Sequence, residues 1–245
     1  MEVLDLYETA KVSQWNATRD IPWDRDEPMT ATEREVLRGL LSNYHFGEMA
    51  GIEIPAFALL KVKDREAKLF LSTQQMDEAR HVEAFDMRLQ QIGCDVKRVQ
   101  MGNVAFSKAL ADLLTLETAD EAIAGIHIVF ENLGSVAFRS HYRALCKTGR
   151  DPVTREILKR VIADETRHEQ FGRTWMKKFL EANPERIEVV DRVQKRIAPM
   201  MIETLLHKSA KMKVWEIERE EDVASAVKKF TWILDDLGLD SSYLN

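Results

Sequence analysis

The chain has 245 residues, of which 45% are hydrophobic and 31% are charged, so it is long enough to bury a substantial core. Its formal net charge is −6 and its acidic and basic residues are interspersed, which argues against nucleic-acid binding. Because there is no run of about 20 uncharged apolar residues and no basic N-terminal segment followed by an apolar one, we expect a cytoplasmic protein without a membrane span.

The first part of the chain predicts an arm followed by a long helix. Residues 1–29 are expected to form a short helix and then an extended segment that packs on the body of the protein. The long helix is predicted to begin near Thr30 or Thr32, because each of them has a glutamate three residues later, as in a capping box. It should run to about Leu60, with a kink at Pro55.

The rest of the chain also predicts helices, because only 10 Gly and 6 Pro interrupt long runs of good helix formers. Gly93 and Gly149 suit the left-handed residue that often ends a helix, and Asp151 suits an N-cap. The composition therefore predicts an all-α protein. Its further helices are expected over about 64–93, 104–116, 118–149, 151–183, 185–210 and 219–236.

The two cysteines, Cys94 and Cys146, lie far apart and neither belongs to a Cys-x-x-Cys pair. This spacing supports neither a disulfide framework nor a thiolate metal site. We expect both thiols to be reduced and buried.

A five-residue segment occurs twice. Asp77-Glu78-Ala79-Arg80-His81 recurs as Asp164-Glu165-Thr166-Arg167-His168, and each copy lies on a predicted long helix. Residues three apart share a helix face, so each copy can direct one carboxylate and one imidazole to the same point. A single Glu-x-x-His would be ascribed to a solvated surface pair, but two copies that agree at four of five positions are hard to ascribe to chance. The repeat predicts a metal site between two helix pairs.

A dinuclear carboxylate site in a four-helix bundle takes one more glutamate from each of the other two helices. Glu131 and Glu48 lie in apolar surroundings near the middle of predicted helices, where an unpaired carboxylate would be costly to bury. Glu53 is an alternative to Glu48, although it lies five residues further on and points in another direction. The predicted metal ligands are Glu48, Glu78, His81, Glu131, Glu165 and His168.

This order of ligands resembles the di-iron carboxylate proteins of the ferritin-like superfamily, in particular class I ribonucleotide reductase small subunits, the related ligand-binding oxidases and bacterial multicomponent monooxygenases. Gln14-Trp15-Asn16 and His168-Glu169-Gln170-Phe171-Gly172 are also similar to segments of the reductase subunits and oxidases. The resemblance implies a ferritin-like four-helix bundle with an N-terminal arm and additional C-terminal helices. We expect a single domain over 1–245, with its metal-binding core at about 30–182.

The resemblance also implies roles for residues around the ligands. Asp77 and Asp164 would accept hydrogen bonds from the outer nitrogens of the histidine ligands, with Arg80 and Arg167 beside them. Ordinary ion pairs remain an alternative for both arginines. The two histidines near the carboxylate ligands are expected to lie in the core or around the centre rather than to bind metal; they are His45 and His127.

Departures from the family patterns narrow the choice of function. Phe85 stands where the reductase subunits carry their radical-forming tyrosine, and Ala50 and Ile126 stand where the ligand-binding oxidases carry a valine–tyrosine cross-link. Ser135 matches the position of a threonine in the monooxygenases, which makes it the candidate catalytic hydroxyl, with helix packing as the alternative. Val161 replaces the additional histidine of the N-oxygenases, which ranks that subclass lower.

The function that the resemblance implies is an oxidase or oxygenase that uses O2 and two Fe ions, or an Mn/Fe pair, to oxidise a small, largely apolar molecule. The sequence has no flavin or dinucleotide motif, so electrons should come from a separate donor or from the substrate. An iron-handling protein and an accessory subunit of an oxygenase remain alternatives. We expect a homodimer, because apolar helix faces outside a four-helix core need covering.

Overall fold

The computed structural model describes residues 2–98, 103–206, 210–217 and 220–244. Across these residues the chain is helical and contains no strand, which confirms the all-α prediction. The helices are α1 (Val3–Val12), α2 (Ala31–Lys61), α3 (Arg65–Gln91), α4 (Val104–Leu113), α5 (Ala119–Ile123), α6 (Glu131–Thr148), α7 (Pro152–Ala182), α8 (Ile187–Leu206) and α9 (Glu220–Asp236). A π-helix (Ala124–Phe130) joins α5 to α6, and short 3₁₀ helices occupy Trp23–Arg25, Val96–Arg98, Pro184–Arg186, Ala210–Trp215 and Ser242–Leu244.

The start of α2 is set by Thr30 rather than Thr32. The Thr30 hydroxyl accepts from the backbone N–H of Glu33, and the Glu33 carboxylate accepts from the backbone N–H of Thr30 at 2.7 Å. This reciprocal pair satisfies two of the N–H groups that a helix start leaves open. Pro55 lies inside α2, which continues past it to Lys61.

Side-chain caps and left-handed residues fix the ends of the two helices that carry the repeated segment. Asp64 accepts from the backbone at the start of α3, and Gly93, two residues beyond its end, has a φ of 84°. Asp151 accepts from the N–H of Thr154 at the start of α7, two residues after Gly149 has ended α6 with a φ of 70°. These caps match the predicted boundaries.

The predicted helix over 118–149 is one helical run with a change of register inside it. Between α5 and α6 the hydrogen bonds widen to the π pattern, and the side-chain amide of Asn132 donates to the carbonyl oxygens of His127 at 2.7 Å and Ile128 at 3.2 Å. Short π segments often mark functional sites. This one ends immediately before Glu131.

Helices α2, α3 and α7 pack with the run from α5 to α6 as a four-helix bundle, α1 lies against α3 and α7, and α8 and α9 cover the π-helix and α6. Two apolar clusters fill the interior, and a layer of buried charged residues lies between them. Phe70 of the first cluster lies 6.2 Å from His168, and Trp15 of the second lies 6.2 Å from His81, measured between ring centroids. The helices thus bury this polar layer between the two apolar clusters.

The remaining expectations are met in part. The last two predicted helices correspond to α8 and α9, while residues 207–209 and 219 at their predicted ends lie outside the described residues. Neither cysteine forms a disulfide, but the expectation that both are buried is wrong. Cys94 packs at the edge of the second apolar cluster and is half-buried, and Cys146 belongs to neither cluster and is exposed. Among the described helices, none is both long and apolar enough to cross a membrane.

Candidate metal centre

The six predicted ligands meet in the charged layer as two overlapping groups. Glu48, Glu78, His81 and Glu165 form one group, and Glu78, Glu131 and His168 form the other. Within each group the potential ligand atoms lie within 4.8 Å of one another, and all six residues are buried. Glu78 belongs to both groups, so the arrangement offers two neighbouring metal positions that share a carboxylate.

The first half of the centre is built around Nδ1 of His81. This nitrogen lies 2.9 Å from Oε2 of Glu48, 3.3 Å from Oε2 of Glu78 and 3.4 Å from Oε1 of Glu165. Three helices, α2, α3 and α7, therefore supply one side of the site.

The second half is built around Nδ1 of His168. It lies 3.2 Å from Oε1 of Glu78, 3.8 Å from Oε1 of Glu131 and 3.8 Å from Oε1 of Glu165. Glu78 and Glu165 thus lie close to both histidines, whereas Glu48 and Glu131 each approach only one of them. A terminal carboxylate in each half and two shared carboxylates between the halves suit two metal ions.

Unpaired polar atoms support this fit. Oε2 of Glu131 is buried and has no hydrogen bond among the described residues, while Oε1 of Glu165 and Nδ1 of His168 have only the longer ion-pair contacts given above. Buried groups of this kind are costly unless a cation or a hydrogen bond compensates them. Carboxylate oxygen and imidazole nitrogen are the donors that Fe and Mn ions prefer.

Burial and neighbouring charges shift the pKa values of the ligands. Burial raises the pKa values of Glu48 and Glu131 well above that of an ordinary glutamate, and the charge of Glu78 adds to the effect. Burial also opposes ionisation of Glu78, but the neighbouring His168 and His81 bring its pKa well below the usual value. Without a metal, imidazolium protons compensate the carboxylates; with a metal, its charge would take over this role.

The outer nitrogens of the two histidines bind aspartates in a crossed arrangement. Nε2 of His81 on α3 lies 3.1 Å from Oδ2 of Asp164 on α7, and Nε2 of His168 on α7 lies 3.3 Å from Oδ2 of Asp77 on α3. Each aspartate therefore orients the histidine of the other helix and not the histidine of its own segment. This contact leaves Nδ1 of each ring facing the metal positions.

Arg80 and Arg167 each contact both aspartates. Arg167 donates to Oδ2 of Asp77 at 3.0 Å and to Oδ1 of Asp164 at 2.6 Å, and Arg80 donates to Oδ1 of Asp77 and to Oδ2 of Asp164. Burial opposes ionisation of Asp164, but His81 and Arg167 hold its pKa below the usual value. The indole N–H of Trp15 also donates to Asp164, at 2.8 Å. The arginines are thus ion-paired and also hold the aspartates that orient the histidines.

Gln74 and His127 form a polar contact that sequence reasoning missed. The Gln74 side-chain nitrogen lies 2.7 Å from Oε1 of Glu131 and 3.1 Å from Oε1 of Glu78, while its oxygen lies 2.7 Å from Nε2 of His127. Burial lowers the pKa of His127 to about 3, so the ring is neutral at pH 7. The available signal was the position of Gln74, one helical turn before Glu78 on the same face.

Ser135 lies one turn after Glu131 and is buried. Its hydroxyl donates to Oε1 of Glu169 at 2.7 Å, and Glu169 also pairs with Arg139 and Lys229 at 3.0 and 2.6 Å. Ser135 lines the cavity beside the centre and takes part in a link between α6 and α7. Both the catalytic and the packing interpretations of Ser135 remain predictions.

Three other residues fall outside the cluster. Glu53 is exposed, so its side chain does not reach the ligands. His45 is half-buried and lies 2.7 Å from Asp86. Phe85 is fully buried, and its ring centroid lies 5.5 Å from that of Tyr44.

A cavity of about 670 Å³ lies against the carboxylates of the centre. Its apolar lining residues include Ile126, Phe130, Phe138 and Met201. Exposed residues such as Arg98 also line it, so the cavity reaches the surface. A small molecule that enters it would come within reach of the metal positions.

The fold is similar to solved structures of R2-like ligand-binding oxidase variants. A tyrosine-to-phenylalanine variant with an aerobically reconstituted Mn/Fe cofactor matches with a TM-score of 0.79 and 21% identity, over 99% of this chain and 94% of that chain. An alanine-to-phenylalanine variant with an anaerobically reconstituted Mn/Fe cofactor matches with a TM-score of 0.80 and 21% identity, over 98% and 94%. A valine-to-leucine variant matches with a TM-score of 0.77 and 20% identity, over 99% of this chain and 94% of that chain.

No protein-family model matches the sequence, and no relative is found among curated protein sequences. The structural similarity confirms the predicted ferritin-like bundle and its resemblance in fold to the ligand-binding oxidases. The roles of individual residues stay predictions.

Proposed function

We propose that this protein is a dinuclear metal oxidase that reacts with O2 and oxidises a small, largely apolar molecule. The observation that carries the proposal is the pair of overlapping ligand groups that share Glu78 beside a cavity open to the surface. Two metal positions next to a space for an organic molecule are what such a reaction needs.

The donor set favours Fe or an Mn/Fe pair over softer metals, since it consists of four carboxylates and two imidazoles without a thiolate. The similar oxidase variants are described with an Mn/Fe cofactor, which supports the same choice. When bound, two such ions supply the electrons that reduce O2.

The protein groups around the ligands have distinct tasks in this proposal. Asp77 and Asp164 hold the outer nitrogens of His168 and His81, so that both rings keep one orientation. Arg80 and Arg167 offset the charge of these aspartates within the buried layer.

The cavity would hold an apolar substrate against Glu48, Glu78, Glu131 and Glu165, and the bound substrate would displace water from them. Ser135 would place a hydroxyl at the edge of this space.

We also propose that the protein receives electrons from a separate donor, is located in the cytoplasm, forms a single domain and is a homodimer. Size-exclusion chromatography with light scattering tests whether it is a dimer.

Titration of the metal-free protein with Fe(II) in air tests the function. We expect rapid oxidation of about two Fe(II) per chain and then no further uptake, because the centre has two positions. Glu131→Ala and His168→Ala should each bind less metal while circular dichroism shows an intact helical fold.

Three results would contradict the proposal. Uptake of hundreds of irons into a large hollow assembly would favour an iron-storage protein. Binding of two irons without any reaction with O2 would favour an accessory subunit. Full metal retention in both variants would show that the ligands are assigned wrongly.

A further inference from the structure

Gln74 is a fully buried amide in direct contact with two of the proposed ligands. Its side-chain nitrogen has two N–H groups, and both have carboxylate acceptors: Oε1 of Glu131 at 2.7 Å and Oε1 of Glu78 at 3.1 Å. The hydrogen-bonding capacity of this nitrogen is therefore used entirely within the metal centre.

The orientation of the amide follows from its neighbours. If the amide were rotated by 180°, its oxygen would face two carboxylate oxygens, which is repulsive. In the observed orientation this oxygen faces Nε2 of His127 at 2.7 Å, and it can accept a hydrogen bond there when the neutral ring carries its proton on Nε2. The two carboxylates thus set the orientation in which Gln74 donates to Glu131, and His127 is placed to accommodate it.

His127 itself is held firmly. It lies in the π-helix, and α7 approaches so closely that a Cβ on Gly172 would lie 2.3 Å from the Cβ of His127. A ring contact with Phe171, with centroids 4.9 Å apart, covers its side. The imidazole has little room to turn, so the amide of Gln74 is fixed as well.

This contact makes the two terminal glutamates unequal. Glu131 has Oε1 bound to Gln74, while its Oε2 is buried and has no hydrogen bond among the described residues. Glu48 on the opposite side faces His81 at 2.9 Å, and no side-chain amide of the described residues donates to it. Among the described residues, only the half of the centre around His168 therefore has a side-chain amide that donates to its terminal carboxylate.

We propose that Gln74 is a positioning residue for Glu131. Its short hydrogen bond to Oε1 of Glu131, at 2.7 Å, directs Oε2, which has no hydrogen bond among the described residues, to a metal, whereas its longer contact of 3.1 Å leaves Oε1 of Glu78 able to bind metal as well. The half of the centre around His168 then differs in coordination from the half around His81, where Glu48 is free to use one or both oxygens. This inference rests on the proposed function, because it requires that metals occupy both halves.

Crystal structures of the protein loaded with Mn(II) alone, with anomalous differences used to locate the metal, test the proposal. In the wild-type protein we expect Glu131 to bind through Oε2 only and to keep its hydrogen bond to Gln74. In Gln74→Leu the freed Oε1 should join Oε2 on the same metal, so that the number of Glu131 oxygens bound rises from one to two. Glu48 should be unchanged.

Gln194→Leu is the matched control, because Gln194 is also a fully buried glutamine but binds Asp191 and the carbonyl of Asp240 far from the centre. The coordination of both metals in Gln194→Leu should equal that in the wild-type protein. The inference would be overturned if Glu131 bound the metal through both oxygens in the wild-type protein, or through only one oxygen in Gln74→Leu. If two metals were still bound in that case, the proposed function would stand. If Gln74→Leu does not fold, the wild-type structure alone decides. Absence of metal from the six ligands would instead overturn the proposed function.

Discussion

Asp164 accepts a hydrogen bond from Nε2 of His81, 3.1 Å away on another helix, although Asp164 directly precedes the ligand Glu165 in the chain. Asp77 and His168 form the reciprocal contact at 3.3 Å. The two repeated segments thus complete each other: each provides two ligands to the centre and the aspartate that orients the other segment's histidine.

Removal of one aspartate charge should therefore affect the metal position on the opposite helix. In Asp164→Asn we expect the metal affinity of the half around His81 to fall about 10- to 100-fold. In Asp77→Asn we expect the same fall for the half around His168. Anomalous scattering from crystals loaded at limiting Mn(II) measures the occupancy of each half.

Asp120→Asn is the control for these two variants, since Asp120 is a buried aspartate paired with Arg186 at 2.8 Å outside the centre. It should leave both occupancies unchanged. Loss of metal from the half nearest in sequence, rather than the opposite half, would show that the crossed contact does not control binding.

The choice between Glu48 and Glu53 can be tested directly. Because Glu48 is buried beside His81 and Glu53 is exposed, Glu48→Ala should lower the bound metal and Glu53→Ala should not. Metal analysis of the purified variants measures this. Equal losses in the two variants would mean that Glu53 also takes part in binding.

Gly51 leaves room for the shared carboxylate. A Cβ at this position would lie 2.9 Å from the Glu78 carboxylate, so Gly51→Ala should displace Glu78 and weaken binding of both metals. Gly39→Ala on the same helix is the control, because a Cβ there meets nothing within 4 Å. It should raise the free energy of unfolding by about 0.5–1 kcal/mol without a change in metal content. Isothermal titration with Mn(II) and urea unfolding compare the two, and unchanged Mn(II) affinity in Gly51→Ala would contradict the argument.

Exposure of the Fe(II)-loaded protein to air should give no persistent tyrosyl radical. Phe85 holds the position expected for a radical-forming tyrosine and has no phenolic proton to lose. Electron paramagnetic resonance at stoichiometric iron checks this. A stable tyrosyl signal of about one spin per chain would refute the prediction, and its loss in Tyr44→Phe would assign it to the ring 5.5 Å from Phe85.

The cap of α2 should make stability depend on pH. The Arg150 guanidinium lowers the pKa of Glu33 from 4.5 to about 2, with further help from Thr30. A carboxyl whose pKa is lowered by folding stabilises the protein above its unfolded pKa and loses this effect as the pH falls towards the folded one. Glu33→Gln should cost about 1 kcal/mol at pH 7, and its difference from the wild-type protein should shrink between pH 4.5 and 2. Urea unfolding measures this difference, and Glu53→Gln serves as an exposed control. A difference that stays constant over this range would show that the ionised Glu33 is not responsible.

The sequence was enough to predict the fold class, the long helices and the six residues that meet in the charged layer. The reason is local: residues three apart on a helix share a face, so Glu78 with His81 and Glu165 with His168 are paired by helix geometry alone. The other two ligands, Glu48 and Glu131, could be predicted because they lie in apolar stretches of sequence, where a buried carboxylate needs a partner.

Contacts between helices could not be read in the same way. Which aspartate reaches which histidine, and whether Gln74 meets His127 and Glu131, depend on the axial offset and rotation of α3 against α7 and of the π-helix against α3. The packing of whole apolar faces sets these offsets, since ridges and grooves of neighbouring helices must interlock. The sequence by itself therefore determined which side chains could form the centre, and only the tertiary structure decided how its two halves are held and why they differ.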